Sequence, residues 1–294
     1  MRRILLTGAK GQLGRECDEA LLRAGFAVIA ADHQSLDITS LQAVESAFEA
    51  AKPDAVINCA AYTKVDLAED EEEKALAANA AGPGNLAECC ARAGVPLLHV
   101  STDYVFDSPL NAPHKEDEPP RAGCAYGRTK LEGERLIAAK ADCHYLIVRA
   151  GGLFGRYGNN FPKVMLRHAL KDPQLRVVGD QRLTPAPARA LAEALVRMLQ
   201  SSLTEQFDGW GIYHFPGLPS VSWYDFACAV LACARKCGLL GRDVPVSKIT
   251  SAEYPVKAKR PSDSRLASEK IQKVFGISLP DWHDYLEETL RGEL

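Results

Sequence analysis

Short apolar runs alternate with longer amphipathic ones through the N-terminal half, and no other feature constrains the fold as much. Residues 3–7, 26–31, 54–59, 96–100 and 144–149 read as strands. Helical patterns fill the gaps at 12–24, 41–51, 71–93 and 126–140. The run 54–59 (DAVINC) is almost continuously apolar up to Asn58, as a strand buried on both faces would be. Helical crossovers between such strands demand a parallel sheet with helices on both faces. The expected class is α/β, a Rossmann-type doubly wound parallel sheet.

Beyond about Gly151 the rhythm breaks. Helical patterns recur at 161–170, 189–201, 223–236 and 281–291, with strand-like pieces at 175–178 and 211–215 and dense proline and glycine between them. The expected organisation is a dinucleotide-binding domain over residues 1–150 and a smaller α/β C-terminal substrate-binding lobe over 151–294, its segments interleaved with the first.

Composition removes several function classes. With 47% hydrophobic and 25% charged residues, wholesale disorder is excluded. A net charge of -3 and the lack of any long basic run argue against nucleic acid as a partner. The apolar run after Met1-Arg2-Arg3 is cut short by Gly8, Lys10 and Arg15, and no stretch approaches the ~20 apolar residues of a membrane span. Nine cysteines without zinc-site spacing read as thiols of a reducing compartment. The expected setting is cytoplasmic.

Two motifs carry chemistry. Gly8-Ala9-Lys10-Gly11-Gln12-Leu13-Gly14 follows the first strand and opens the first helix. Glycines there let the backbone approach a pyrophosphate seated on helix N-terminal amides. Its GxxGxxG spacing differs from the common GxGxxG. Asp32 closes the second strand, where an acid would bind the adenosine ribose, while Lys10 and His33 offer charge for a 2′-phosphate; NADH and NADPH both stay open. The second motif places Tyr126 and Lys130 one helical turn apart, downstream of Ser101-Thr102-Asp103 at a strand's carboxyl end. A lysine ammonium beside a phenol is expected to lower the phenol's pKa and make it a usable acid or base.

With Asn58–Thr63, STDYVF at 101–106 and YGRTKLEGE at 126–134, these motifs resemble the extended short-chain dehydrogenase/reductases. Further blocks run in order along nearly the whole chain: Thr63–Glu69, Gly158–Phe161, Asp180-Gln181, Thr184-Pro185 and Arg260–Leu266. Together they narrow the resemblance to the dTDP-4-dehydrorhamnose reductase family.

That resemblance implies reduction of the C4 ketone of a 4-keto-6-deoxy sugar nucleotide, dTDP-4-dehydro-L-rhamnose, by NADPH or NADH. It makes Thr102, Tyr126 and Lys130 catalytic: Tyr126 protonates the nascent alkoxide, Thr102 orients the ketone, and Lys130 tunes Tyr126 and holds the nicotinamide ribose. It places Gly8, Gly11, Gln12, Leu13, Asp32, Asp37, Ala60, Ala61 and Asn79 at the cofactor. Asp103 and Tyr104 would sit beside the sugar, Asn160 and Phe161 near the nucleotide or sugar, and Arg260 on the diphosphate. Two alternatives stand beside this: a sugar-nucleotide dehydratase or epimerase of the same superfamily, and a non-catalytic cofactor-binding regulatory subunit.

The chain departs from the family pattern in places. Gly152 stands where a sugar-facing Trp is usual, which predicts an altered pocket wall. Of two glutamates that bridge some relatives through a metal, Glu16 is kept and Arg189 replaces the other. No metal is expected, and the chain is expected to be a monomer or weak homodimer without a metal bridge.

Overall fold

The computed structural model describes residues 1–107 and 112–292; residues 293–294, the end of the expected lobe, lie outside it. The first half runs β1 (Arg3–Thr7), α1 (Gln12–Arg23), β2 (Ala27–Ala31), α2 (Leu41–Ala51), β3 (Ala55–Asn58), α3 (Glu72–Leu76), α4 (Gly82–Ala93), β4 (Leu97–Thr102), α5 (Ala125–Ala138) and β5 (Tyr145–Phe154). The second half runs α6 (Phe161–Lys171), β6 (Leu175–Val178), β7 (Arg182–Leu183), β8 (Pro185–Pro187), α7 (Ala188–Ser202), β9 (Gly211–His214), β10 (Val221–Ser222), α8 (Trp223–Lys236), β11 (Val246–Ile249), α9 (Glu269–Phe275) and α10 (Leu286–Arg291).

Seven strands form one parallel sheet in the order β2-β1-β3-β4-β5-β8, with β9 also paired to β5. The side-chain period of a strand sends alternate residues to opposite faces. Ile4 and Leu6 accordingly enter one apolar layer with α1 and α7, while Leu5 enters the other with α2 and α4. Both faces are covered, which is why these strands read as unbroken apolar runs. The expected boundary near residue 150 falls inside β5, and β8 and β9 from the second half complete the sheet. The small lobe has its own core, in which α6, α8 and α10 bury Phe154, Phe226 and Trp282 beside the β6-β11 pair.

The helix expected over 71–93 carries a π turn at Ala77–Ala81 between α3 and α4. Pro83 has no N–H and its ring crowds the carbonyl four residues back, that of Asn79. That carbonyl turns instead toward α5, where a Cβ on Gly133 would lie 2.1 Å from it. The helix expected over 281–291 begins as a 3-10 turn, Trp282–Tyr285, before α10. Among the described residues, no helix is long and apolar enough to cross a membrane, and no three His, Cys, Asp or Glu side chains are grouped to hold a metal.

Candidate active site

The carboxyl ends of β1 to β5 open into one cleft of about 860 Å³, within the usual size range of ligand sites. Its floor is the glycine loop. Gly8 has φ +68°, and a Cβ on it would lie 2.6 Å from the Ala60 nitrogen; one on Gly14 would lie 2.1 Å from the Gly8 oxygen. Glycine is needed at both positions because backbone approaches backbone there. The N-cap of α1, Gly11, offers no side-chain cap, so the first amides of the helix keep their donors for a ligand. A cradle that any Cβ would fill, at an uncapped helix start, fits a dinucleotide pyrophosphate. Replacing Gly8 with Ala is expected to weaken dinucleotide binding at least about tenfold, the equivalent of ~1.4 kcal/mol, as read by fluorescence titration. Unchanged affinity would separate the loop from cofactor binding.

Gln12, Leu13, Asp32, Asp37, Ala60 and Ala61 line the same cleft. Asp32 Oδ1 accepts from the backbone of Gln34 and Ser35 and from the Ser35 hydroxyl, and its other oxygen pairs with Lys10 at 2.5 Å. The Lys10 ammonium first, then these donors, hold its carboxyl far below the ordinary carboxylate range. Lys10 and His33 also face the cleft, so the ribose end presents an acid already paired with a cation.

Across the cleft stand Thr102, Asp103, Tyr104, Tyr126 and Lys130. Tyr126 lies in the first turn of α5 and shares the cleft lining with Thr102. Its ring meets Tyr104 edge-on at 5.8 Å. Thr102 is buried, accepts from the Tyr104 backbone at 3.1 Å and donates to Asp103 at 3.2 Å. Asp103 is buried against Gly151, where a Cβ would strike its carboxylate at 2.2 Å; burial pushes its pKa up to about 6. A glycine at 151 is what leaves Asp103 its place.

The expectation that Lys130 lowers the Tyr126 pKa is corrected. Burial pushes the phenol well up, and the nearby Thr102 hydroxyl only partly offsets it. The lysine reaches the central strand β4 instead, donating to the Val100 carbonyl at 2.7 Å and lying 3.2 Å from His99 Nε2. Tyr126 therefore rests as a loaded phenol.

Four expected site residues stand back from the cleft lining. Asn79, in the π turn, bonds both backbone groups of Tyr62 and the Thr129 hydroxyl, tying the segment after β3 to α5. Asn160 caps α6 and donates to Gln12 and to the Gly155 carbonyl. Phe161 packs on Trp223 and Phe226 at 4.6 and 5.3 Å, a core role for an aromatic ring. Arg260 pairs with Asp66 at 2.6 Å and interacts with Tyr104. Asn159 and Trp223 line the cleft in place of Asn160 and Phe161. Asn58 and His99, polar residues inside apolar strand runs, also lie behind the site, as does Glu134 of α5, whose helical position carries no such signal.

Gly152 has φ +53°, and a Cβ there would lie 2.6 Å from Leu183 Cδ1, so Leu183 occupies space a larger residue would need. Glu16 is buried in a two-point pair with Arg156, at 3.0 and 2.9 Å, while Arg189 pairs with Glu288 at 2.6 Å.

Comparison with known proteins gives one consistent picture. The family described as RmlD substrate binding domain matches residues 1–293. The dTDP-4-dehydrorhamnose reductase of Aggregatibacter actinomycetemcomitans is 43% identical over 98% of both chains. The crystal structure of a dTDP-4-dehydrorhamnose reductase from Clostridium acetobutylicum superposes with a TM-score of 0.90 at 38% identity, covering 98% of each chain. That of Bacillus anthracis dTDP-4-dehydrorhamnose reductase in complex with NADP also gives 0.90, at 32% identity over 99% of each. On the strength of these full-length matches and the glycine cradle facing Thr102, Tyr126 and Lys130, the chain belongs to the RmlD substrate binding domain family, that of the dTDP-4-dehydrorhamnose reductases.

Proposed function

We propose that this chain reduces the C4 ketone of a 4-keto-6-deoxy sugar nucleotide, taking dTDP-4-dehydro-L-rhamnose to dTDP-L-rhamnose. The observation that carries the reading is that Tyr126 and Thr102 line the glycine-floored cleft together, opposite Gly8, Gly11 and Gly14. Bound NADPH or NADH supplies the hydride that goes to C4. Tyr126 delivers the proton to the ketone oxygen, completing the alcohol. The raised pKa suits this direction, since a proton donor must be loaded at rest and an alkoxide is a far stronger base than a phenolate. Thr102 holds the oxygen in line with the phenol, and Asp103 and Tyr104 bound the sugar. Lys130 and Asp32 would hold the two riboses of the cofactor.

Only one carboxylate, Asp103, lies beside Thr102, so the two-acid arrangement of a dehydratase lacks a partner in that segment. The nine free thiols suit a reducing compartment, and we place the reaction in the cytoplasm. With Glu16 already engaged by Arg156, the chain works without a metal bridge, as a monomer or weak homodimer.

The assay is loss of reduced-nicotinamide absorbance with dTDP-4-dehydro-L-rhamnose, run with NADPH and NADH in parallel. Stoichiometric oxidation with dTDP-L-rhamnose as product is expected. Tight cofactor binding without oxidation would sink the reading in favour of an epimerase or a binding subunit.

A further inference from the structure

Asn58 and His99 are neighbours in register on β3 and β4, and both are fully buried inside apolar strands. Neither lines the cleft, yet their side chains form an unbroken chain to Lys130. Thr7 Oγ1 donates to Asn58 Oδ1 at 2.6 Å, and the Ala60 amide donates to the same oxygen at 3.0 Å. Asn58 Nδ2 meets His99 Nδ1 at 2.9 Å, and His99 Nε2 meets Lys130 Nζ at 3.2 Å.

The direction of each bond follows from the one donor that cannot reverse. A backbone N–H only donates, so the Asn58 atom facing Ala60 is its oxygen and the atom facing His99 is its NH2. His99 Nδ1 must then accept. A neutral ring that accepts at Nδ1 carries its hydrogen on Nε2, and that hydrogen points at the lysine nitrogen. An amine has a lone pair to receive it. An ammonium has none, and the two donors would then stand head to head. A doubly protonated ring fares no better, since its Nδ1–H would face the Asn58 amide hydrogens.

We propose that His99 is a positioning residue for Lys130: fixed by Asn58 as the Nε2–H tautomer, it donates to the lysine nitrogen and favours the amine over the ammonium. Lys130 thereby becomes a group whose ammonium form can pass a proton to the Tyr126 phenolate, leaving the amine that His99 stabilises, which then takes its proton back from water. The other groups facing it are Glu134, one turn along α5, and Cys59 at the end of β3, both of which favour the ammonium. Burial outweighs them and brings the lysine down to about 8, where both forms are accessible. His99 itself is held neutral by burial and by the nearby lysine. The part played in turnover rests on the reductase reading above; the polarity of the hydrogen bonds does not.

Two measurements separate these. Long-range 15N–1H correlation spectra of enzyme labelled at histidine nitrogen, with the His99 signal assigned by its loss in His99→Gln, report the tautomer without any turnover. A ring protonated at Nε2 throughout the neutral and mildly alkaline range is expected; protonation at Nδ1 overturns the proposal. The second is the pH profile of kcat. His99→Leu removes the donor and relieves the opposed hydrogens, so the alkaline limb should move up by about one pH unit, the scale of one lost hydrogen bond. His99→Gln accepts from Asn58 through Oε1 and donates to Lys130 through its NH2, and should keep the wild-type limb. If His99→Leu lowers kcat equally at every pH, His99 is only a packing residue. If the leucine variant does not fold, the tautomer and the Gln profile still decide: a shifted limb in Gln counts against the proposal. Failure of the wild type to turn over would remove the reductase reading alone.

Discussion

Tyr126→Phe is expected to lower kcat by about 10²- to 10⁴-fold while leaving cofactor affinity within about twofold, as measured by nicotinamide oxidation and by fluorescence titration. The phenol supplies the proton that the reduced oxygen must take up. Thr102 cannot take over that role, because it is a far weaker acid and its hydrogen already goes to Asp103. The substitution removes one oxygen and keeps the ring that packs edge-on against Tyr104. Thermal stability should therefore be nearly unchanged, because the ring keeps its packing and the lost hydroxyl lines the cleft. The proportion between kcat and KM carries the information. A loss in kcat and kcat/KM together marks an interaction made in the transition state, whereas a rise in KM alone would make Tyr126 a binding residue and move the proton donor elsewhere.

Breaking the ion pair beneath the site should have the largest effect on stability. Arg149 and Glu134 are almost wholly buried, and the guanidinium meets both carboxylate oxygens, from Nε at 3.0 and 3.2 Å and from Nη2 at 2.6 Å. Ser101 donates to the same carboxylate, and Arg149 lies over the Phe106 ring. Beside it His214 is driven down to about 3 by burial and by the arginine, so His214 adds no charge of its own there. Glu134→Gln keeps the shape and leaves a buried guanidinium uncompensated. The expected cost is about 3–5 kcal/mol, since removing one partner exposes the full desolvation penalty of the other. At roughly 2–4 °C per kcal/mol for a chain this large, Tm should fall by on the order of 10 °C. The double variant Arg149→Met, Glu134→Leu should recover most of the loss, because an apolar pair needs no charge compensation. Equal losses in the single and double variants would show that packing, rather than the unpaired charge, sets the cost. Glu134→Gln also withdraws a charge that favours the Lys130 ammonium, so the alkaline limb of activity should move down.

The pair illustrates what a linear reading misses. Glu134 belongs to the block YGRTKLEGE and Arg149 closes an expected strand, yet nothing in their spacing says they meet. They meet because β4 and β5 lie side by side, with Ser101 and Arg149 partners in register, and α5 crosses above them. Asn58 and His99 were visible as polar residues in apolar runs, but their link to Lys130 needs the same lateral pairing of strands. The opposite holds for Arg260 and Phe161. Their motifs suggested ligand contacts, whereas Asp66 and the Trp223–Phe226 cluster, far away in sequence, claim their side chains.

By itself the sequence determined the parallel sheet, because each strand buried on both faces must be apolar throughout and each crossover must be amphipathic. It determined the glycine cradle, because only glycine tolerates the backbone contacts and the positive φ at Gly8. It also determined that Tyr126 and Lys130 share a helix face, since that spacing is a local property of the helix. Only the tertiary structure decided how the protons are held. Whether a phenol is raised or lowered, and whether a lysine sits as amine or ammonium, depends on burial and on donors that different strands bring within 3 Å or so of one another. Those distances exist only once the sheet has formed.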